Sequence, residues 1–148
     1  MNKLTKTKED NTMDFYIAEE GIPLTIGCED TTIAYYGSEI ELHYETKSSN
    51  GKLIFSAKLP ILNVELPFWI FGEQLIFLDA YYLLTKIVDK NTQIPIISTL
   101  INIHTGKYAK LDHYYPHITI DEEVKLQTDD GNILILRDID NLKWINIE

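Results

Sequence analysis

Apolar and polar residues alternate with a period of two along much of this chain. In "EIELHYE", Ile40, Leu42 and Tyr44 fall on one side and Glu39, Glu41, His43 and Glu45 on the other. That is the pattern of a half-buried strand with an acidic outer face, because successive side chains of an extended chain point to opposite faces. "KLIFSAKL" sets Leu53, Phe55, Ala57 and Leu59 against Ile54, Ser56 and Lys58, and "HITI", "EVKLQ" and "WINI" alternate in the same way further on. Turn chemistry separates these runs: "SSNG" (48–51), "DKNT" (89–92), "HTGK" (104–107) and "DDGN" (129–132). Asn50-Gly51 is a strong hairpin signal, since both residues tolerate φ > 0 at the centre of a tight turn. Connections this short imply antiparallel neighbours, as a parallel crossover needs a dozen or more residues.

Two segments need separate treatment. Residues 75–88, "LIFLDAYYLLTKIV", are apolar almost throughout, and periodicity cannot separate a strand pair from a buried helix there. The crowding of Ile, Val, Tyr and Phe favours a strand pair with a kink near Asp79-Ala80, with a helix as the alternative. Pro60 and Pro67 bracket "ILNVEL" and lack the N–H that a central strand donates, so this stretch is expected as a short edge strand or a crossover. "GEQLIFLD" (72–79) and "GNILILRD" (131–138) share a loose pattern that suggests two similar hairpins or a coincidence. The expected fold is all-β, or mainly β with at most one or two short helices: an antiparallel sandwich, barrel or bent meander of about eight to ten strands. Residues 1–13 read as a flexible polar tail and 14–148 as one globular β domain.

Composition narrows the function classes. The 148 residues carry 23 acids against 13 Lys and Arg, a formal net charge of −10, and Arg137 is the only arginine. A chain this acidic repels polyanions, which argues against nucleic acid and anionic membrane surfaces and favours basic protein partners. No apolar run is long enough to span a membrane as a helix, and the lysines near the start are not followed by an apolar signal core. With Cys28 as the single cysteine no internal disulfide forms, so a cytoplasmic setting is expected. The excess of Ile and Lys over Arg matches AT-rich coding and suggests a bacterial or phage source.

Candidate chemistry is sparse. "LDHYYPHITI" (111–120) holds His113 and His117 four apart, but Pro116 excludes the helix on which that spacing chelates. On a strand the two sit roughly 13 Å apart, too far to share a zinc. Cys28 lies beside Glu29 and Asp30, which oppose thiolate formation, so it reads as a small buried hydrophobe. No nucleophile elbow, phosphate loop, dinucleotide fingerprint or zinc-protease motif occurs. The reading is therefore non-enzymatic, with no catalytic residue, no metal and no cofactor.

Tyrosine pairs occur three times, in "AYYGSEIEL", "DAYYLL" and "DHYYPHITI". Alternation projected back from Ile40 and Leu42 turns Tyr35 outward, and the same projection from Ile118 and Ile120 turns Tyr115 outward. Exposed tyrosines ringed by carboxylates are what a binder of basic protein surfaces carries. The expected partner-binding residues are Tyr35, Glu39, Glu41, Glu45, Tyr115, Asp121, Glu122 and Glu123. The leading expectation is an acidic inhibitor or immunity protein that occludes a basic partner, such as a nuclease-type bacterial toxin. The alternatives are a small β-barrel or sandwich ligand-binding protein or enzyme with a Tyr/His-lined pocket, and an assembly subunit that adds a strand at an open edge.

Overall fold

The structure, a computed structural model, describes residues 5–6, 14–27, 29–35 and 37–146. Fourteen strands run through them: β1 (Thr5–Lys6), β2 (Asp14–Ile17), β3 (Asp30–Tyr35), β4 (Ser38–Lys47), β5 (Leu53–Leu59), β6 (Val64–Glu65) and β7 (Trp69–Phe71), then β8 (Ile76–Phe77), β9 (Tyr82–Val88), β10 (Pro95–Asn102), β11 (Tyr108–Lys110), β12 (His117–Ile120), β13 (Val124–Gln127) and β14 (Ile133–Leu136). A single 3-10 turn, Ile139–Asn141, follows. The all-β expectation holds. The strand number exceeds the expected range because β1, β6, β7, β8 and β11 are two or three residues long, too short for alternation to register. Most of the expected N-terminal tail, like Cys28, lies outside the described residues; Thr5 and Lys6 pair with Phe15 and Asp14.

Eleven strands form one sheet in the order β1-β2-β3-β4-β5-β7-β9-β10-β11, with β6 on β5 and β8 on β9; β12-β13-β14 form a second. The long sheet is curled. Ser38, at the start of β4, and His104, just past β10, are four strand spacings apart, about 19 Å in a flat sheet. Yet Ser38 Oγ lies 3.4 Å from His104 Nε2. The concave side holds the main core, with Ile33, Ile40, Leu42, Phe55, Leu59, Ile70, Leu83 and Ile101 each at most 2% exposed. The small sheet lays its inner face (Ile118, Ile120, Val124, Leu126, Leu134 and Leu136) on the convex side, against Ile76, Leu84 and Leu100.

Local sequence explains the connections. Residues 75–88 do form a strand pair, β8 and β9. The kink falls where Asp79 Oδ1 accepts the backbone N–H groups of Tyr81 and Tyr82, a turn that aspartate favours. The proline-bracketed stretch supplies β6, a two-residue edge strand. Two expectations need correction. The pair β2–β3 is parallel, and between the two strands Gly21 N–H donates to Phe77 O, Leu24 and Leu75 exchange backbone bonds, and Ile26 N–H donates to Gly72 O. A dozen residues without regular alternation gave no sign of that crossover. The Asn50-Gly51 turn also has only Gly51 at positive φ. Gly51 N–H donates to Ser48 O and Ser48 N–H to Lys52 O, a three-residue loop with one left-handed position in place of the two-residue turn.

Candidate functional site

The two tyrosines expected outside are inside. Tyr35 is 4% exposed and packs on Phe77 with ring centroids 4.8 Å apart. The register between β3 and β4 reflects the pattern: Tyr35 is directly opposite Ser38, and opposed residues in an antiparallel pair share a face. Ser38 shares its face with Ile40 and Leu42, so Tyr35 points inward with them. Tyr115 is 2% exposed and precedes β12, so no strand phase governs it. Its N–H donates to Ser98 Oγ at 2.9 Å and its hydroxyl to Asp112 Oδ1 at 2.6 Å, seating the ring in the core between the sheets. Burial raises the Tyr115 hydroxyl pKa and the Asp112 bond adds to it, while the same bond holds the Asp112 carboxyl below its usual range.

The acids are where the alternation put them, but they do not form one patch. Glu39 and Glu41 are half-buried on the outer side of β4, and Glu45 is exposed at a bulge where Tyr44 pairs with Phe55 and Thr46 with Ile54. Across the strands, Glu41 is flanked by Lys58, and Lys58 in turn by Glu65. His43 Nδ1 lies 2.8 Å from Asp30 Oδ1 in the adjacent row. These groups line a shallow groove of about 270 Å³. Asp121, Glu122 and Glu123 are exposed on the turn between β12 and β13, in the other sheet. Asp121 Oδ1 accepts the Glu123 N–H, and Glu123 pairs with Arg137.

A cleft of about 100 Å³ opens beside Glu39, between the β3–β4 turn, the end of β5 and the turn after β10. Buried Leu59 and Ile103 and exposed Ile61 and Leu62 line it together with Ser38, Glu39 and His104. Ile61 is 66% exposed and Leu62 37%, which is unusual for aliphatic residues side by side. Tyr81, 53% exposed, packs its ring 4.8 Å from that of His104. Glu39 has no side-chain hydrogen bond or ion pair among the described residues. His104 Nε2 lies 2.8 Å from the Ala80 carbonyl oxygen, which only accepts, so Nε2 carries the proton. Nε2 therefore cannot take a proton from Ser38 Oγ, and the nearby Ser–His pair is not an activated nucleophile.

Sequence reasoning did not single out Ile61, Leu62, Tyr81 or His104 as site residues. A signal existed for the first two. Apolar residues that follow Pro60 and precede a left-handed Asn63 sit in a turn, where no sheet face requires them. The histidines that drew attention in the sequence are separate: His117 Nε2 bonds Asp129 at 2.8 Å, while His113 sits by Asp112 and Tyr115. Among the described residues no three His, Cys, Asp or Glu side chains converge as metal ligands. A second, open groove of about 550 Å³ lies by the 3-10 turn, where Tyr82 donates to Asp140 and stacks on Trp144. Burial and then Asp140 push the Tyr82 hydroxyl up to about 12. Compared with known proteins, the chain matches no family model, no curated protein and no solved structure. No described helix is long and apolar enough to cross a membrane.

Proposed function

We propose that this protein is a non-enzymatic, acidic protein-binding module that docks on a basic protein partner and occludes its functional surface, in the manner of a cytoplasmic immunity protein against a nuclease-type toxin. The observation that carries the reading is that exposed Ile61 and Leu62 line a cleft with Glu39, that exposed Tyr81 packs on its His104, and that the same β4–β5 pair carries a groove lined by Asp30, Glu41 and Glu65. Binding surfaces combine a few apolar and aromatic anchors with a polar rim, and carboxylates there steer a cationic partner into register. The rival reading, a Tyr/His-lined ligand pocket, has less support. The concave side holds core side chains, the cleft beside Glu39 is well below the roughly 300–1,000 Å³ of small-molecule sites, and the larger groove by the 3-10 turn is open and lined by one tyrosine and no histidine.

The test is affinity capture from native lysate with the full chain as bait, followed by identification of the partner and stopped-flow association at rising salt. A basic partner whose association slows at least tenfold between 50 and 500 mM NaCl is the expected result. An acidic partner, or a rate indifferent to salt, would overturn the proposal.

A further inference from the structure

We infer that the free edge of β14 takes an extended segment of the basic partner as an added strand. The inference rests on the basic-partner reading above and names where on this chain that partner is held, and through which atoms. The β13–β14 ladder fixes which atoms are free. Thr128 N–H donates to Asn132 O, so these two are a hydrogen-bonded pair, and such pairs recur at every second residue. Leu126–Leu134 and Val124–Leu136 are therefore bonded pairs, while Ile133 and Ile135 turn their N–H and C=O groups away from β13. The β12–β13 hairpin has the matching phase: Asp121 N–H donates to Glu123 O, which assigns the odd-numbered residues of β13 to β12 and leaves the even-numbered ones for β14. Among the described residues none of the four outward groups of Ile133 and Ile135 has a hydrogen-bond partner.

Other edge strands are guarded. β1 is two residues with a lysine, β6 lies between Pro60 and Pro67, and β11 exchanges backbone bonds with Ile145 at Tyr108. β12 presents His117 and Thr119 on its outer face. β14, Ile-Leu-Ile-Leu, carries no proline, charge or bulge, and its outer-face side chains are Ile133, 55% exposed, and half-buried Ile135. An edge of this kind pairs with another chain through main-chain bonds, and the side chains beside it select the occupant. The isoleucines call for apolar residues at the segment's centre. Its ends meet acids: Asp129 and Asp130 precede β14, Asp138 and Asp140 follow it, and Asp79 joins the latter two in lining the groove there. Arg137, the cation among them, is engaged by Glu123. Lysine or arginine at each end of the segment completes the match. A second copy fits less well. Its full-overlap register, Ile133 opposite Ile135, would bring Asp130 of each copy toward Asp138 of the other, and opposed like charges destabilise a strand pair.

The test is amide hydrogen exchange read by NMR on the full chain, with an acetylated and amidated nine-residue peptide, Val-Thr-Val-Thr-Val with two lysines at each end. In the free protein the Ile133 and Ile135 amides should exchange at least about tenfold faster than those of Leu134 and Leu136. Peptide at about ten times its Kd, on the order of 0.1–1 mM, should slow Ile133 and Ile135 about tenfold. Two comparators separate the contributions: the same peptide N-methylated at its five central residues keeps the charge without the donors, and one with glutamate for lysine keeps the donors and reverses the charge. Each should bind about tenfold more weakly or worse. Ile135→Pro removes an outward N–H and no bond to β13, so it should abolish the protection at Ile133 while leaving the amide shifts of the large sheet unchanged. If that variant does not fold, Ile133→Pro, at the first residue of the strand, reads the same contact at Ile135. Equal binding of the N-methylated peptide, protection centred on another strand, or binding indifferent to both proline variants would overturn strand addition. Protection of Ile133 and Ile135 that grows with protein concentration in the absence of peptide would assign the edge to a second copy and overturn the basic occupant. A captured basic partner that is salt-sensitive yet indifferent to the proline variants would overturn the edge site and leave the basic-partner reading intact. An acidic partner would overturn that reading, and with it the segment's cationic ends.

Discussion

Lys86 is 3% exposed on β9, and its ammonium reaches the Gln74 side-chain oxygen and, at 3.4 Å, the Glu73 carbonyl oxygen. Burial lowers its pKa from 10.5 to about 8, and the Glu73 carboxylate offsets part of the loss. Below pH 8 both folded and unfolded chains hold the proton, and the full desolvation cost is present. Between 8 and 10.5 the unfolded chain holds a proton that the folded one lacks, so stability rises with pH there. That shift corresponds to roughly 3 kcal/mol, against which removing the ammonium leaves two acceptors without it; both belong to half-buried residues that water can reach, so their cost is the reduced one of about 1–3 kcal/mol for the two together. Lys86→Met should therefore stabilise by about 1 kcal/mol at pH 7, and the gain should vanish or reverse by pH 10.5; urea melts across pH 6–10.5 check it. A loss at pH 7 would mean that the ammonium's bonds outweigh its burial. Burial of this lysine was not legible in "LLTKIV", because a strand covered on both sides spaces its charges no differently from an exposed one. Tyr35 and Tyr115 were misread for a related reason: alternation gives a residue's face only within one unbroken strand.

Two hairpin loops repeat one device with different letters. In Ser48–Lys52 and Thr128–Asn132 the first hydroxyl accepts the last residue's N–H, and the glycine N–H donates to the first residue's carbonyl. Gly51 and Gly131 have φ of +84° and +99°, and a Cβ on either would meet nothing within 4 Å. Alanine at each position thus tests backbone conformation alone and should cost about 1–2 kcal/mol. Gly72 is the opposite case: a Cβ there would come within 2.9 Å of Leu53 O and 2.7 Å of the Phe55 ring, a fully buried side chain. Gly72→Ala should exceed Gly51→Ala by 1 kcal/mol or more in denaturant melts; equal costs would show that Phe55 gives way freely. The hairpins were legible because turn residues and alternation are local signals. The strand pair at 75–88 was legible only in outline: β9 lies between two cores, Leu83 and Ile87 facing one and Leu84 the other, so its pattern is nearly continuous. The parallel β2–β3 pair and the curl that brings Ser38 to His104 depend on contacts distant in sequence, and no local pattern encodes them. For that reason the cleft, built from three separate connections, could not be read from the chain, although Glu39, one of the residues that line it, was.

At the scale of the whole molecule, charge competes with a fold held mainly by its two cores. Ten excess negative charges share a domain with a radius of gyration of about 15 Å. The Lys/Arg–carboxylate pairs among the described residues, Lys52–Glu73 and Arg137–Glu123, have both partners about one-third or more exposed, and such pairs contribute little. Net self-repulsion should therefore outweigh specific attraction. At 10 mM salt the Debye length is about 30 Å, so every carboxylate feels the rest; at 150 mM it is about 8 Å, and the repulsion is confined to neighbours. The melting temperature should accordingly rise by several degrees between 10 and 150 mM NaCl and flatten beyond, as read by differential scanning calorimetry. Association with a basic partner should move the opposite way over the same range, because the field that strains the free protein is the one that draws the partner in. A melting temperature that falls with added salt would place more of the stability in surface ion pairs than the geometry of Lys52–Glu73 and Arg137–Glu123 allows.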